Sequence, residues 1–171
     1  MLDHLATNPT QLVGILSFAA ASIACFIAAR RPLSKDASTW KALTVINSLF
    51  LFEILVGIRH RLHNFAVTMF FADGKYAQRV PIQEILILSL AVIAVILAAI
   101  LFSWRRAAGG PAKIVMGITF LVMLLFAIET VSLHAVDAVF YRTIGSVMMI
   151  GWLWLFAGCG VILATSLRNV A

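Results

Sequence analysis

Five apolar runs, at about 12–29, 41–59, 82–104, 113–136 and 144–167, decide what this chain can become. A helix needs about 20 residues to cross roughly 30 Å of hydrocarbon. Inside a bilayer every backbone polar group must be satisfied within the protein, so each run is expected to be a membrane-spanning helix. Composition agrees: 63% of the 171 residues are hydrophobic, 12% are charged and the mean hydropathy is +1.04, too apolar for a soluble domain of this length. The expected fold class is therefore all-α, a single transmembrane domain over 1–171 built as a bundle of about five helices.

The ends and connections fit one bundle. MLDHLATNPTQ lacks the basic stretch of a secretory signal, so the first run reads as a retained span. RPLSKDAST and RRAAGGPAK are short connections broken by Pro, Gly and Ser. The longest stretch between runs is 60–81. It keeps a partial helical stripe through Phe65, Ala66, Met69 and Phe70, and Asp73-Gly74 marks a turn. The second helix is thus expected to run past the bilayer edge, or to be followed by a short interfacial helix. Cys25 and Cys159 fall within spans, where thiols pack as small apolar groups rather than as a disulfide framework.

The net charge of +6 is not a nucleic-acid signature, because the basic residues form no clustered arm or stripe. It reads as topology. Arg30, Arg31, Lys35, Lys41, Arg105, Arg106, Lys113 and Arg168 fall on one side, against Arg59, Arg61, Lys75, Arg79 and Arg142 on the other. Lys and Arg accumulate on the cytoplasmic side. The expected placement is a bacterial-type inner membrane, with the N-terminus outside and the C-terminus cytoplasmic.

Polar chemistry is confined to two spans. Glu53 lies in SLFLFEILVGIRHRLH and Glu129 in VMLLFAIETVSLHAVD. A carboxylate at mid-helix costs about 2.5–3.5 kcal/mol on insertion scales, so such residues face a bundle interior and act there. Each glutamate is followed by two candidate ligands three residues apart, His60 and His63 after Glu53, His134 and Asp137 after Glu129. Residues three apart share a helix face. Brought together at the outer ends of spans two and four, the two arms would supply three imidazoles and a carboxylate, a set suited to a transition metal ion such as zinc, copper or iron. Facing histidines from two helices would also hold a b-type haem.

Glu53 precedes His60 by two helical turns and Glu129 precedes His134 by five residues, which sets both carboxylates about 7–10 Å deeper than the histidines. Two carboxylates at one depth in a low dielectric require a shared proton or a cation, which makes Glu53 and Glu129 the candidate catalytic or relay pair. One feature opposes this arrangement. On an ideal helix Thr130, His134, Asp137 and Tyr141 form one stripe, and Glu129 stands about 100° from it.

Passive roles compete at every position. A histidine at a membrane edge is commonly interfacial. Asp137 could pair with Arg142 or cap a turn. Arg59 and Arg61 could bind lipid headgroup phosphate, or pair with Glu53 or Asp137. Glu53 could be held by Asn47 and Glu129 by Thr130. In GWLWLFAGCG, Trp152 and Trp154 lie deeper than an interfacial belt and read as packing against neighbouring helices or a partner, with Gly151, Gly158 and Gly160 permitting close approach.

No nucleotide, hydrolase, zinc-protease or c-type haem motif is present in the sequence, so nothing marks it as an enzyme of those classes. Three functions remain from the sequence: a metal or haem protein for redox chemistry or metal handling, an accessory or assembly subunit of a larger membrane complex or homo-oligomer, and a proton- or ion-coupled transporter or channel.

Overall fold

The computed structural model describes residues 8–30, 36–58, 108–131 and 134–167, together with 61, 68, 85, 88, 89, 92–96, 99, 100 and 103; Val131, His134 and Ala135 are described by backbone alone. Among the described residues, five helices and one small hairpin have defined bounds. They are α1 (Pro9–Ala29), α2 (Ala37–Val56), α3 (Gly110–Val131), α4 (His134–Phe140), β1 (Thr143–Ile144), β2 (Val147–Met148) and α5 (Met149–Leu167). Among the described residues, four helices (α1, α2, α3 through Thr130, and α5) are long and apolar enough to cross a membrane. The protein is a helical, multi-pass membrane bundle. The expected third run, 82–104, lies largely outside the described residues, as does the expected interfacial segment at 60–81.

Local chemistry sets the helix ends. Asn8 caps α1 by accepting from the backbone N–H of Gln11 at 3.2 Å, and Pro9 follows at the first helical position, so α1 begins three residues before the apolar run. α2 stops at Gly57, whose left-handed backbone (φ 66°, ψ 41°) donates its N–H to the Glu53 carbonyl at 2.7 Å. Glycine adopts this conformation without a Cβ penalty and commonly ends helices. Of the two expectations for this segment, a second helix that runs on or one followed by a short interfacial helix, the break at Gly57 ends the continuous helix at Val56, and the stretch beyond lies largely outside the described residues. The chain also departs from a purely helical pattern at Thr143–Ile144, which pairs antiparallel with Val147–Met148 around Gly145 (φ 66°). A glycine with positive φ suits a two-residue hairpin loop.

Helix directions follow from specific contacts. The Gln11 side-chain amide donates to the Ile54 carbonyl at 2.8 Å, so the start of α1 meets the end of α2 and the two run antiparallel. The backbone N–H of Met148, just before α5, donates to Thr10 Oγ1 at 2.9 Å, and Gly158 lies against Ser17, so α5 runs parallel to α1. At the far end of the bundle the Gly109 N–H donates to Asp36 Oδ2 at 2.9 Å, joining the starts of α2 and α3. Nearer their other ends, Phe50 and Phe126 stack at 5.1 Å with planes 12° apart. Those two helices are thus parallel. The helices close into a ring in the order α1, α2, α3, α5.

Packing is close where glycines allow it. A Cβ on Gly158 would stand 2.9 Å from the Ser17 carbonyl oxygen and 3.1 Å from its Cα, and one on Gly14 would strike Ile54 and Trp154 at 2.7 Å. The reading of Gly151, Gly158 and Gly160 as close-approach positions holds, since each lies against a neighbouring helix or the hairpin. The buried core divides in two. Trp40, Cys25, Val115 and Val161 fill the far end, and Phe18, Phe126, Ile150 and Trp154 fill the end nearer the hairpin. Large apolar side chains such as Leu16, Leu121, Phe156 and Leu163 point outward, as a bilayer solvent permits.

Candidate functional site

At the hairpin end the helices part around a cavity of about 360 Å³. The first turn of α1 supplies Asn8, Thr10 and Gln11; the end of α2 supplies Glu53 to Gly57; α3 supplies Glu129; Tyr141, Met148, Ile150 and Trp154 complete the wall. Glu53 is half-buried, and Glu129 is 7% exposed. Glu53 and Glu129 therefore line one partly open cavity.

That they line one cavity has a simple cause. Phe50 and Phe126 stack face to face between parallel helices, and each glutamate stands three residues further along its own helix, on the same face as its ring. Phe126 also stacks on Trp154 (6.0 Å, 12°), and Phe18 sits against all three rings. Of these four rings, Trp154 lines the cavity. Offset aromatic pairs of this kind contribute about 0.5–1.5 kcal/mol beyond area burial.

Glu129 Oε1 accepts from the Tyr141 hydroxyl at 3.3 Å. A straight helix would separate positions 129 and 141 by about 18 Å, more than the two side chains span. Tyr141 therefore reaches Glu129 at a separation that one ideal helix would not allow. The partners first considered for the glutamates give hydrogen bonds to their own helices instead. The Asn47 amide donates to the Leu43 carbonyl at 2.8 Å, and the Thr130 hydroxyl to the Phe126 carbonyl at 2.8 Å.

Of the other candidates, Arg59, His60 and His63 lie outside the described residues. α2, which carries Glu53, ends at the left-handed Gly57. Arg61 is exposed, and its backbone N–H donates to the Gly57 carbonyl at 3.2 Å. His134 opens α4, and Asp137 is half-buried in the same helix. Among the described residues no group of three His, Cys, Asp or Glu comes together as a metal site.

Three wall residues were not read from the sequence as site residues. Gln11 joins α1 to the end of α2, Tyr141 reaches Glu129, and Trp154 lines the cavity. Asn8-Pro9 was a legible helix start, and it would have drawn Gln11 into the first turn of span one. No family model, curated protein or solved structure matches the chain.

Proposed function

We propose that the protein handles a cation at a carboxylate-centred site near the outer face of an inner membrane. The observation that carries this reading is that Glu53 and Glu129, from two helices distant in sequence, line one cavity. Carboxylates that line one cavity of a membrane bundle are suited to an ion site or a proton path. In this reading His60, His63, His134 and Asp137 hold a transition metal ion or haem iron, and the glutamates serve as inner carboxylates for proton transfer or a second ion. Arg59 and Arg61 contact lipid headgroups. The parallel course of α2 and α3 supports five crossings: chain that leaves α2 at one end and enters α3 at the other must return across the bilayer, and 82–104 is apolar enough to do so.

Elemental analysis and an absorption spectrum of detergent-purified native protein and His134→Ala test the metal tier. Stoichiometric metal, or a haem Soret band, that disappears in the variant supports it. Native protein that is free of metal and haem and takes up none of copper, iron or zinc overturns it.

A second reading, proton- or ion-coupled transport, is favoured by the hydrogen bond from the Tyr141 hydroxyl to Glu129, which sets a second proton-bearing group beside that carboxyl. Proteoliposome flux that is the same for native protein and Glu53→Gln/Glu129→Gln overturns that reading and leaves the carboxylates as packing groups of an accessory subunit.

A further inference from the structure

The end of the bundle away from the cavity presents cations that no acid neutralises. It gathers the end of α1 with the starts of α2 and α3, where Arg30, Lys41 and Lys113 stand. Asp36 is the one carboxylate there among the described residues, and its Oδ2 accepts the Gly109 N–H. None of the three cations makes an ion pair among the described residues. No acidic residue stands in the first turn of α2 or α3, so both helix dipoles add positive potential at the same end. Each cation also heads a strip of exposed surface on its own helix. Arg30 lies above Phe26 and Ile23, Lys41 above Val45 and Leu49, and Lys113 above Gly117 and Leu121. Offsets of four and seven or eight residues keep each strip on one helix face. Gly117 leaves a notch in its strip, with nothing within 4 Å of where a Cβ would stand.

We infer that this end of the bundle seats anionic phospholipids, with their phosphates on Arg30, Lys41 and Lys113 and their acyl chains along the exposed strips. A cation at the head of exposed apolar surface matches a molecule that joins a phosphate to hydrocarbon, whereas a soluble phosphate would use the charge alone. The Arg30 guanidinium lies 4.3 Å over the Phe26 ring. Stacked in this way it keeps the planar fork with which arginine meets two phosphate oxygens at once. The lysines act as point charges whose long stems lie along apolar surface while the ammonium reaches the headgroup level. At Gly117 an acyl chain can approach the α3 backbone one turn from Lys113. Basic residues beside an anionic bilayer surface each contribute about five-fold in affinity. The inference stands apart from any reading of the carboxylate cavity.

Native mass spectrometry of the full chain, released from nanodiscs of equal phosphatidylglycerol and phosphatidylethanolamine, tests it. Native protein is expected to retain phosphatidylglycerol in preference to phosphatidylethanolamine. Each of Arg30→Gln, Lys41→Gln and Lys113→Gln should lower that ratio by up to about five-fold, and the triple variant should abolish it. Arg30→Lys keeps the charge and should keep most of the preference. Arg142→Gln removes an exposed cation at the cavity end and should leave the ratio unchanged. Gly117→Leu fills the notch with no atom in its way and should reduce retained lipid with all three cations in place. Glycerophosphoglycerol, the same headgroup without acyl chains, should displace none of the bound lipid. Size-exclusion elution and helical circular dichroism matching the native protein confirm that each variant is folded. Equal retention of the two lipids by native protein overturns the inference, as does a preference that survives in the triple variant or falls equally in Arg142→Gln. Displacement by glycerophosphoglycerol assigns a soluble phosphate ligand instead, and full retention in Gly117→Leu overturns the acyl seat on α3.

Discussion

The Tyr141 hydroxyl lies 3.3 Å from Glu129 Oε1 although 12 positions separate the residues in sequence. The contact joins Tyr141 to the end of α3 that carries Glu129, and both residues line the cavity. Tyr141→Phe removes only the hydroxyl. It is expected to destabilise the protein by about 1 kcal/mol, measured as a lower thermal midpoint in detergent, while Tyr141→Phe combined with Glu129→Gln should cost less than the sum of the two single changes.

Phe126→Ala should be among the most damaging single changes, since that ring stacks on both Phe50 and Trp154. A loss of about 3–5 kcal/mol is expected. Phe126→Leu retains most of the volume and should cost less, but without the flat ring it should still disturb the alignment of Glu53 with Glu129. A double electron–electron resonance distance between spin labels at Leu55 and Val139 that stays unchanged in Phe126→Leu would contradict this.

Glycines separate close approach from mere flexibility. Gly158→Ala forces a Cβ onto the backbone of Ser17 and is expected to cost about 1–3 kcal/mol. Gly117→Ala, in the interior of α3 with nothing within 4 Å, is expected to be neutral or to stabilise by up to about 1 kcal/mol. Unfolding midpoints of the two variants, measured side by side, should move in different directions or by clearly different amounts.

Gly57→Ala tests how α2 ends. No atom crowds the added methyl, so the cost comes from the left-handed backbone alone, about 1 kcal/mol. Amide hydrogen exchange should quicken at Gly57 and the residues before it. If protection there is unchanged, the left-handed cap is not what stops the helix.

The features legible in the sequence were those set by the solvent and by local propensity. Long apolar runs give membrane helices whatever their neighbours, and the depth of Glu53 and Glu129 follows from their positions along those runs. The small residues of span five, Gly151 and Gly158, similarly announced close helix contact. Helix ends were less legible where one residue outweighs an apolar pattern. Gly57 sits inside a run that hydropathy alone carries to residue 59, yet its left-handed backbone stops the helix three residues earlier. The pairing of Tyr141 with Glu129 was hidden for another reason, since periodicity assumes one continuous helix. Gln11 and Trp154 depend on which helices are neighbours, which no local pattern encodes.

The hydrogen bond between Gly109 and Asp36 fastens the starts of α2 and α3 at the end of the bundle away from the cavity. The two helices that carry Glu53 and Glu129 are thus held in register at their starts, so the level at which each carboxylate lies is fixed from the opposite end of the bundle.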